Sequence, residues 1–106
     1  MQQLNKVELR GIVGNVQVQE YQGRKVARVS VATDYIYENR DREKIVETTW
    51  HSVTVWDNKS GCSLDGLKRG DKVYVQGRLR TLKYNDASGV DRQAWEILAN
   101  EFQKVG

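Results

Sequence analysis

Apolar and polar residues alternate with a period of two along most of the chain, a pattern that predicts β-strands. We predict three strands at about 6–19, 25–37 and 46–56, a fourth that opens with RGDKV at 69–73, and a fifth at about 92–102. Alternate apolar residues mark the face of each strand that we expect to point into a core. They are Val7, Leu9, Val13, Ala27, Val29, Val31, Val53, Val55, Val73, Val75 and Leu79, with Trp95 and Ile97 sharing one face of the last strand.

Glycines and polar clusters interrupt this pattern. The apolar parity of the first strand changes between Val13 and Val16, and Gly11 and Gly14 lie at the change, which predicts a β-bulge or a barrel bend. The other predicted breaks are hairpin turns at 21–24 (YQGR) and around 88–89, a mobile loop at 38–44 (ENRDREK), and a short helix or irregular segment at 57–66.

These elements together indicate an all-β fold. Five long strands that bend at glycines, with one non-strand segment between the third and fourth, are typical of a five-stranded Greek-key barrel of the OB-fold class. A sandwich of short hairpins is the competing all-β architecture. At 106 residues the chain has room for one domain, which we assign to 1–106.

The third strand carries the most informative side chains. Val53 and Val55 occupy its core face, which leaves Trp50 and Trp56 on the opposite face with small polar residues between them. Exposed tryptophans on a strand indicate a binding surface. Packing under a loop or against another subunit would also account for either ring.

Composition excludes several classes of protein. Hydrophobic residues make up 39% and charged residues 29% of the chain, which is a globular composition and not a disordered one. No apolar run could cross a membrane, and the first ten residues lack the apolar region of a signal peptide, so we expect a cytoplasmic location. Cys62 and His51 are the only residues of their types, and no catalytic motif or metal-ligand spacing is present. We therefore predict no enzyme activity, no cofactor and no metal site.

Basic residues concentrate in the segment 68–84. It holds six Lys and Arg and one Asp, a charge of +5, whereas the rest of the chain carries 11 basic and 13 acidic residues, a charge of −2. A basic stripe on a nearly neutral body favours a polyanion as partner. A solvated strand face would give the same pattern.

Rings and cations in this combination fit a single-stranded nucleic acid. Aromatic rings stack on bases with about 1–3 kcal/mol per base and little sequence preference, while Lys and Arg neutralise phosphates. The candidate rings are Tyr37, Trp50, Trp56 and Tyr84, and the candidate cations are Lys6, Arg10, Arg78, Arg80 and Lys83. Tyrosine is common on sheet surfaces, so the two tyrosines alone would carry little weight. Stacking does not distinguish DNA from RNA.

Five stretches of the chain resemble a known family. They are NKVELRGIVGNV, VARVSVATD, TTWHSVTVW, LKRGDKVYVQGRLRTLKY and SGVDR, and they are similar to the bacterial single-stranded DNA-binding proteins of the SSB type over Leu4 to Phe102. GRLRTLKY followed by SGVDR is the most specific part. The resemblance implies an OB-fold, homotetramers or, failing that, dimers, and single-stranded DNA wrapped over aromatic side chains during replication, recombination and repair. It also implies a bacterial cytoplasm and association with the nucleoid.

The resemblance further implies roles for individual residues. The family's four stacking positions fall on Tyr37, Trp50, Trp56 and Tyr84, and its phosphate-binding cations on Lys6, Arg69, Arg80 and Lys83. Its interface histidine falls on His51, although a buried structural histidine would also fit. We expect Tyr74 and Gln76 at the same subunit interface.

The chain departs from the family pattern at several positions. Tyr37 and Tyr84 stand where the family often has Trp, so that stacking is kept, and Ser52 stands where it often has a basic residue, which removes one phosphate contact. The segment aligned with the family's helix contains Gly61 and Gly66, and each glycine costs a helix about 1 kcal/mol relative to alanine.

The end of the sequence also differs. It stops at Gly106, whereas a typical family member continues into a Gly/Pro/Gln-rich linker and an acidic, apolar tip that recruits repair and replication proteins. We therefore expect no tail-mediated recruitment by this chain. The alternative function is a protein-interaction module for a primosome or replisome partner, with nucleic-acid binding secondary.

Overall fold

Five long strands form a closed barrel. The computed structural model describes residues 1–57, 62, 64 and 66–105. The strands are β1 (Val7–Tyr21), β2 (Arg24–Glu38), β3 (Lys44–Trp56), β4 (Lys72–Asn85) and β5 (Asp91–Lys104). Their order around the barrel is β1-β2-β3-β5-β4, and all neighbours are antiparallel except β3 and β5, which run parallel. This arrangement confirms the five-stranded OB-fold barrel.

The described residues contain no helix, and hence none that could cross a membrane. The short helix or irregular segment expected at 57–66 lies mostly outside the described residues. Of that segment, Cys62 is buried and forms an isolated parallel bridge with Phe102 of β5.

The barrel interior is filled mainly by valines, at the alternate positions that the sequence pattern predicts. Because successive side chains of a strand point to opposite faces, these valines line the inside while polar residues point out. The buried core consists of Val13, Ala27, Val29, Val31, Val53, Val55, Cys62, Val73, Val75, Ile97, Ala99 and Phe102, and Val7 and Leu9 pack against it half-buried.

A β-bulge bends β1 where the apolar parity changes, as predicted. The pairing of β1 with β2 slips between Val13 and Val16. Gly11 and Gly14 allow the close approach at this bend: a Cβ on Gly11 would overlap the Ala32 carbonyl oxygen, and a Cβ on Gly14 would overlap the Trp50 ring. Glycine is therefore required here for space.

The connections are tight turns. The first hairpin turns at Gln22 and Gly23, which both adopt positive φ, as the prediction for 21–24 requires. The connection between β2 and β3 is shorter than the predicted loop, because Glu38 and Lys44 are already paired strand residues. The Asn39 carboxamide oxygen accepts hydrogen bonds from the backbone N–H groups of Asp41 and Glu43, both at 2.9 Å, so the turn is internally bonded.

Two hairpins extend beyond the barrel. The β2–β3 arm comprises residues 33–49, which lie past the last β1 partner of β2. The β4–β5 arm comprises residues 81–95. They lie past Gly77, the last β4 residue paired with β1, and past Ile97, the last β5 residue paired with β3. Within the described residues, each arm is a two-stranded ribbon, and both of its faces are largely open to solvent.

The prediction that Leu79 points into the core is wrong. Leu79 has the parity of Val73 and Val75, but its side chain is 40% exposed. It lies at the barrel rim, where β4 has lost β1 as a partner. The Asn5 side chain takes the place of a strand there, donating to the Leu79 carbonyl at 2.7 Å and accepting from its N–H at 3.0 Å.

Candidate nucleic-acid interface

A cleft beside Trp50 brings a predicted ring and a predicted cation together. The Trp50 side chain is 57% exposed and lies against the backbone of Gly14. The cleft has a volume of about 330 Å³ and is lined by Gly14, Asn15, Ser30, Trp50 and Arg69. Ser30 Oγ accepts a 2.8 Å hydrogen bond from the Asn15 N–H, which ties β2 to the bend of β1 in this cleft. The cleft thus offers one apolar surface and one positive charge.

Trp56 lies on the same face of β3 as Trp50. The pairing of β2 with β3 is regular from Val26–Trp56 to Glu38–Lys44, so the even-numbered residues of β3 share a face. Six residues of strand separate the two rings by about 20 Å. Trp56 is half-buried at the end of β3, so it offers less ring surface than Trp50.

The two predicted tyrosines occupy different faces. Tyr84, which is 52% exposed, shares the outer face of β4 with Arg80. Tyr37 pairs with Ile45 and has the opposite parity to Trp50, so it lies on the other face of the β2–β3 arm. There its ring adjoins that of Tyr35, with centroids 6.0 Å apart. Trp50 and Trp56 therefore lie on β3 outside the arms, while Tyr37 and Tyr84 lie on one arm each, and the four rings do not form one flat platform.

Arg80 is held by an acid on the neighbouring strand. Its Nε donates to Oε1 of Glu96, and Glu96 Oε2 accepts a 2.7 Å hydrogen bond from the Thr54 hydroxyl. Glu96 is only 7% exposed although it faces outward. The three side chains form a chain, the Thr54–Glu96–Arg80 network, that links β3, β5 and β4. Because a buried carboxylate neutralises it, Arg80 has less charge available for a phosphate than the sequence suggests.

The other predicted cations are more accessible. Lys6 and Arg78 line one cleft of about 370 Å³ beside the middle of β4, and Lys6 also lies 3.5 Å from Glu8. Lys83 lines a cleft of about 570 Å³ on the β4–β5 arm together with Tyr84. Each of these positive charges therefore lies beside a concave surface.

Arg10 lies apart from this group. Its guanidinium is 6.0 Å from the centroid of the Tyr74 ring, on the outer face shared by β1 and β4. The Tyr74 hydroxyl donates to Glu8 at 2.7 Å and lies 3.4 Å from Gln76. The hydrogen bond from Tyr74 lowers the pKa of Glu8, and the same bond raises the pKa of Tyr74. Arg10 thus belongs to the surface where Tyr74 and Gln76 were expected to form a subunit interface.

His51 is bonded within its own hairpin. Its Nε2 lies 2.8 Å from Thr33 Oγ1, and partial burial lowers the pKa of the imidazole. It lies on β3 just outside the β2–β3 arm and has the same parity as the β3 partner of Tyr37, so it shares the face that carries Tyr37. Among the described residues, no cluster of His, Cys, Asp and Glu could hold a metal ion.

The sequence did not predict the environments of Trp95 and Glu96. Trp95 was assigned a strand face with Ile97, yet its side chain is 62% exposed because it lies on the arm and not in the barrel. The role of Glu96 was not predicted, since its partners on β3 and β4 are known only from the strand register. A charged residue between apolar neighbours in a predicted strand is the one hint that the sequence offers.

A closed barrel of this strand order, with exposed rings and cations on two protruding hairpins, defines an OB-fold binding protein. The model of the single-strand binding protein family matches residues 4–105. The chain belongs to this family.

Curated relatives are about one-third identical to this chain over the aligned region. A single-stranded DNA-binding protein of Neisseria meningitidis serogroup A is 34% identical over 97% of the chain, and one of Xanthomonas axonopodis pv. citri is 36% identical over the same share. The chain spans 60% and 58% of the length of these two proteins.

Solved structures show the same fold. The Plasmodium falciparum SSB in complex with ssDNA superposes with a TM-score of 0.78 and 28% identity, covering 100% of this chain and 98% of that one. A deletion mutant of the single-stranded DNA binding protein from Thermus aquaticus superposes with a TM-score of 0.80 at 16% identity, over 97% of this chain and 51% of that one.

Gly14→Ala is expected to displace the Trp50 ring. The new methyl group would overlap the indole and come within 2.8 Å of Ser30 Oγ, and the exposed indole is the part that can move. In a nitrogen-15 NMR spectrum, the Trp50 indole N–H resonance should shift while those of Trp56 and Trp95 stay in place. An unchanged Trp50 resonance in a folded variant would contradict the packing of the ring on Gly14.

Arg80→Ala is expected to lower the free energy of unfolding by about 1–3 kcal/mol, because it leaves the buried Glu96 carboxylate without its charged partner. Urea denaturation measures this change. The double variant Arg80→Ala/Glu96→Gln should recover part of the loss, and Lys83→Ala on the same strand serves as the control with unchanged stability. Additive effects of the two substitutions would show that the network does not couple them.

Proposed function

We propose that this chain binds single-stranded DNA without sequence preference, and acts as a binding protein rather than an enzyme in replication, recombination and repair. The observation that carries the proposal is the Trp50 cleft, where an exposed indole and Arg69 line one concavity. An indole stacks on any base, and a guanidinium contacts any phosphate. The P. falciparum relative, which is in complex with ssDNA, supports the same ligand for this fold.

The proposed contacts lie on the barrel surface and on the two arms. Bases stack on Trp50, Trp56, Tyr37 and Tyr84, and phosphates lie against Lys6, Arg69, Arg78 and Lys83. Arg80, which is tied to Glu96, contributes less charge and holds the base of the β4–β5 arm in place. The working location is the bacterial cytoplasm, at the nucleoid.

We also propose that the chain assembles with copies of itself, as a tetramer or a dimer. The outer face of β1 and β4 supports this, because Arg10, Tyr74 and Gln76 form a bonded polar surface beside Ile12, which is 48% exposed. His51 is a second contact in this proposal, on β3 next to the β2–β3 arm. Arg10 then serves assembly and not DNA binding.

Binding to oligo(dT) should quench tryptophan fluorescence and weaken steeply with salt. With four accessible cations and about 0.7 counterion released per phosphate on a single strand, the slope of log K against log salt should be roughly −3. Trp50→Ala should weaken binding about 5- to 150-fold through lost stacking, with the slope unchanged. Lys83→Ala should instead reduce the slope by about 0.7.

Tyr21→Ala, which removes an exposed ring from the β1–β2 hairpin, is the matched control and should leave affinity unchanged. Neither quenching nor a rise in anisotropy of labelled oligo(dT) at low salt would contradict the proposal. Unchanged DNA affinity in Trp50→Ala/Trp56→Ala would favour a protein-interaction module in its place.

Light scattering tests the assembly. The wild-type chain is expected at two or four times its monomer mass, and Arg10→Glu should lower that mass because it places an acid beside Glu8 on the same surface. Arg24→Glu, at the tip of the β1–β2 hairpin, makes the same charge change away from this face and should leave the mass unchanged. A monomeric wild-type protein would refute self-assembly.

A further inference from the structure

Trp95 is an exposed ring that the proposed site does not use. It lies on β5 opposite Thr81, and its side chain is 62% exposed. The register gives it the parity of Ile97 and Leu79, whereas Tyr84 has the opposite parity. The β4–β5 arm therefore carries one large ring on each face. An exposed tryptophan on a protruding ribbon indicates a binding surface.

The surroundings of Trp95 suit a nucleotide. A cleft of about 570 Å³ on the same arm is lined by Lys83, Asn85, Asp91 and Gln93, all of which have the parity of Trp95, together with Tyr84 and Arg92. Lys83 pairs directly with Gln93, which lies two residues before Trp95 on β5. Lys83 is therefore a diagonal neighbour of Trp95 on the same face. The ring that lines this cleft is Tyr84, and Trp95 adjoins the cleft through Lys83 and Gln93 on its own face. The side-chain amides of Asn85 and Gln93 can meet the edge of a base.

We infer that Trp95 forms a further base-stacking subsite, with Lys83 contacting the adjoining phosphate, so that single-stranded DNA contacts both faces of the β4–β5 arm. The inference rests on the proposed function and extends it to a residue outside the four expected rings. Tyr84 pairs with Arg92, and Trp95 lies three residues further along β5. The two rings are therefore about 10 Å apart along the arm. A strand that stacks on Tyr84 therefore reaches Trp95 by passing over the edge of the ribbon.

The composition of the face favours a nucleic acid over a second protein subunit. The core of a subunit interface is depleted in charged residues. Around Trp95, the exposed residues of the same face are instead mostly charged or polar, namely Thr81, Lys83, Asn85, Asp91 and Gln93, with Leu79 at the barrel rim as the apolar exception.

The test uses Trp95 as the only tryptophan. Trp50→Tyr/Trp56→Tyr keeps aromatic rings at both positions and leaves Trp95 as the fluorescent reporter. Fluorescein-labelled oligo(dT) reports binding through its anisotropy, and unlabelled oligo(dT) should quench Trp95. A matched control adds Trp95→Tyr and Tyr21→Trp, which moves the reporter to the β1–β2 hairpin, where no quenching is expected.

Affinity provides the second measurement. In the wild-type background, Trp95→Ala should weaken oligo(dT) binding about 5- to 150-fold, and Trp95→Phe should retain most of the affinity because it keeps a ring. Binding by anisotropy without quenching of Trp95, or full affinity in Trp95→Ala, would overturn the inference and leave the proposed function standing. A lower mass of Trp95→Ala in light scattering would assign the ring to a subunit contact and also overturn it. Failure of the wild-type chain to bind at all would be failure of the proposed function itself.

Discussion

The narrow interior of the barrel is the constraint on which the rest of the structure depends. Its buried side chains are mostly valines, with Phe102 as the largest. Such a core needs only part of each strand, yet the strands run for 13 to 15 residues. The surplus length has no interior to face. It becomes the two arms, whose open faces carry Tyr37, Tyr84 and Trp95.

The same constraint explains which parts of the fold were predictable. Alternation of valines identified the inner faces of β2 and β3, and the glycines of β1 identified the bulge, because both signals are local in sequence. Leu79 was misassigned because the parity of a residue shows only which face of the strand it lies on. Parity does not show whether the barrel still encloses that face at that point of the strand. Where an arm begins depends on the last residue paired with β1, and this is set by distant contacts.

The candidate site divides in the same manner. The exposure of Trp50 followed from the valines on the other face of β3. Its juxtaposition with Arg69 did not, since the two residues are brought together by the tertiary fold. The sequence also did not show which cations are engaged within the protein. Arg80 is paired with buried Glu96, and Arg10 lies over Tyr74. Residue type therefore indicated the ligand, while the register decided which charges are available to it.

The Thr54–Glu96–Arg80 network has a consequence for how a flexible polymer is held. It ties β3, from which the β2–β3 arm extends, to the base of the β4–β5 arm. The network thereby restrains the separation of the two arms, so that in the proposed binding mode DNA captured by one arm is held near the other at a high effective concentration. Weak individual contacts then combine into tight binding, and a single contact can release and rebind while the strand stays attached.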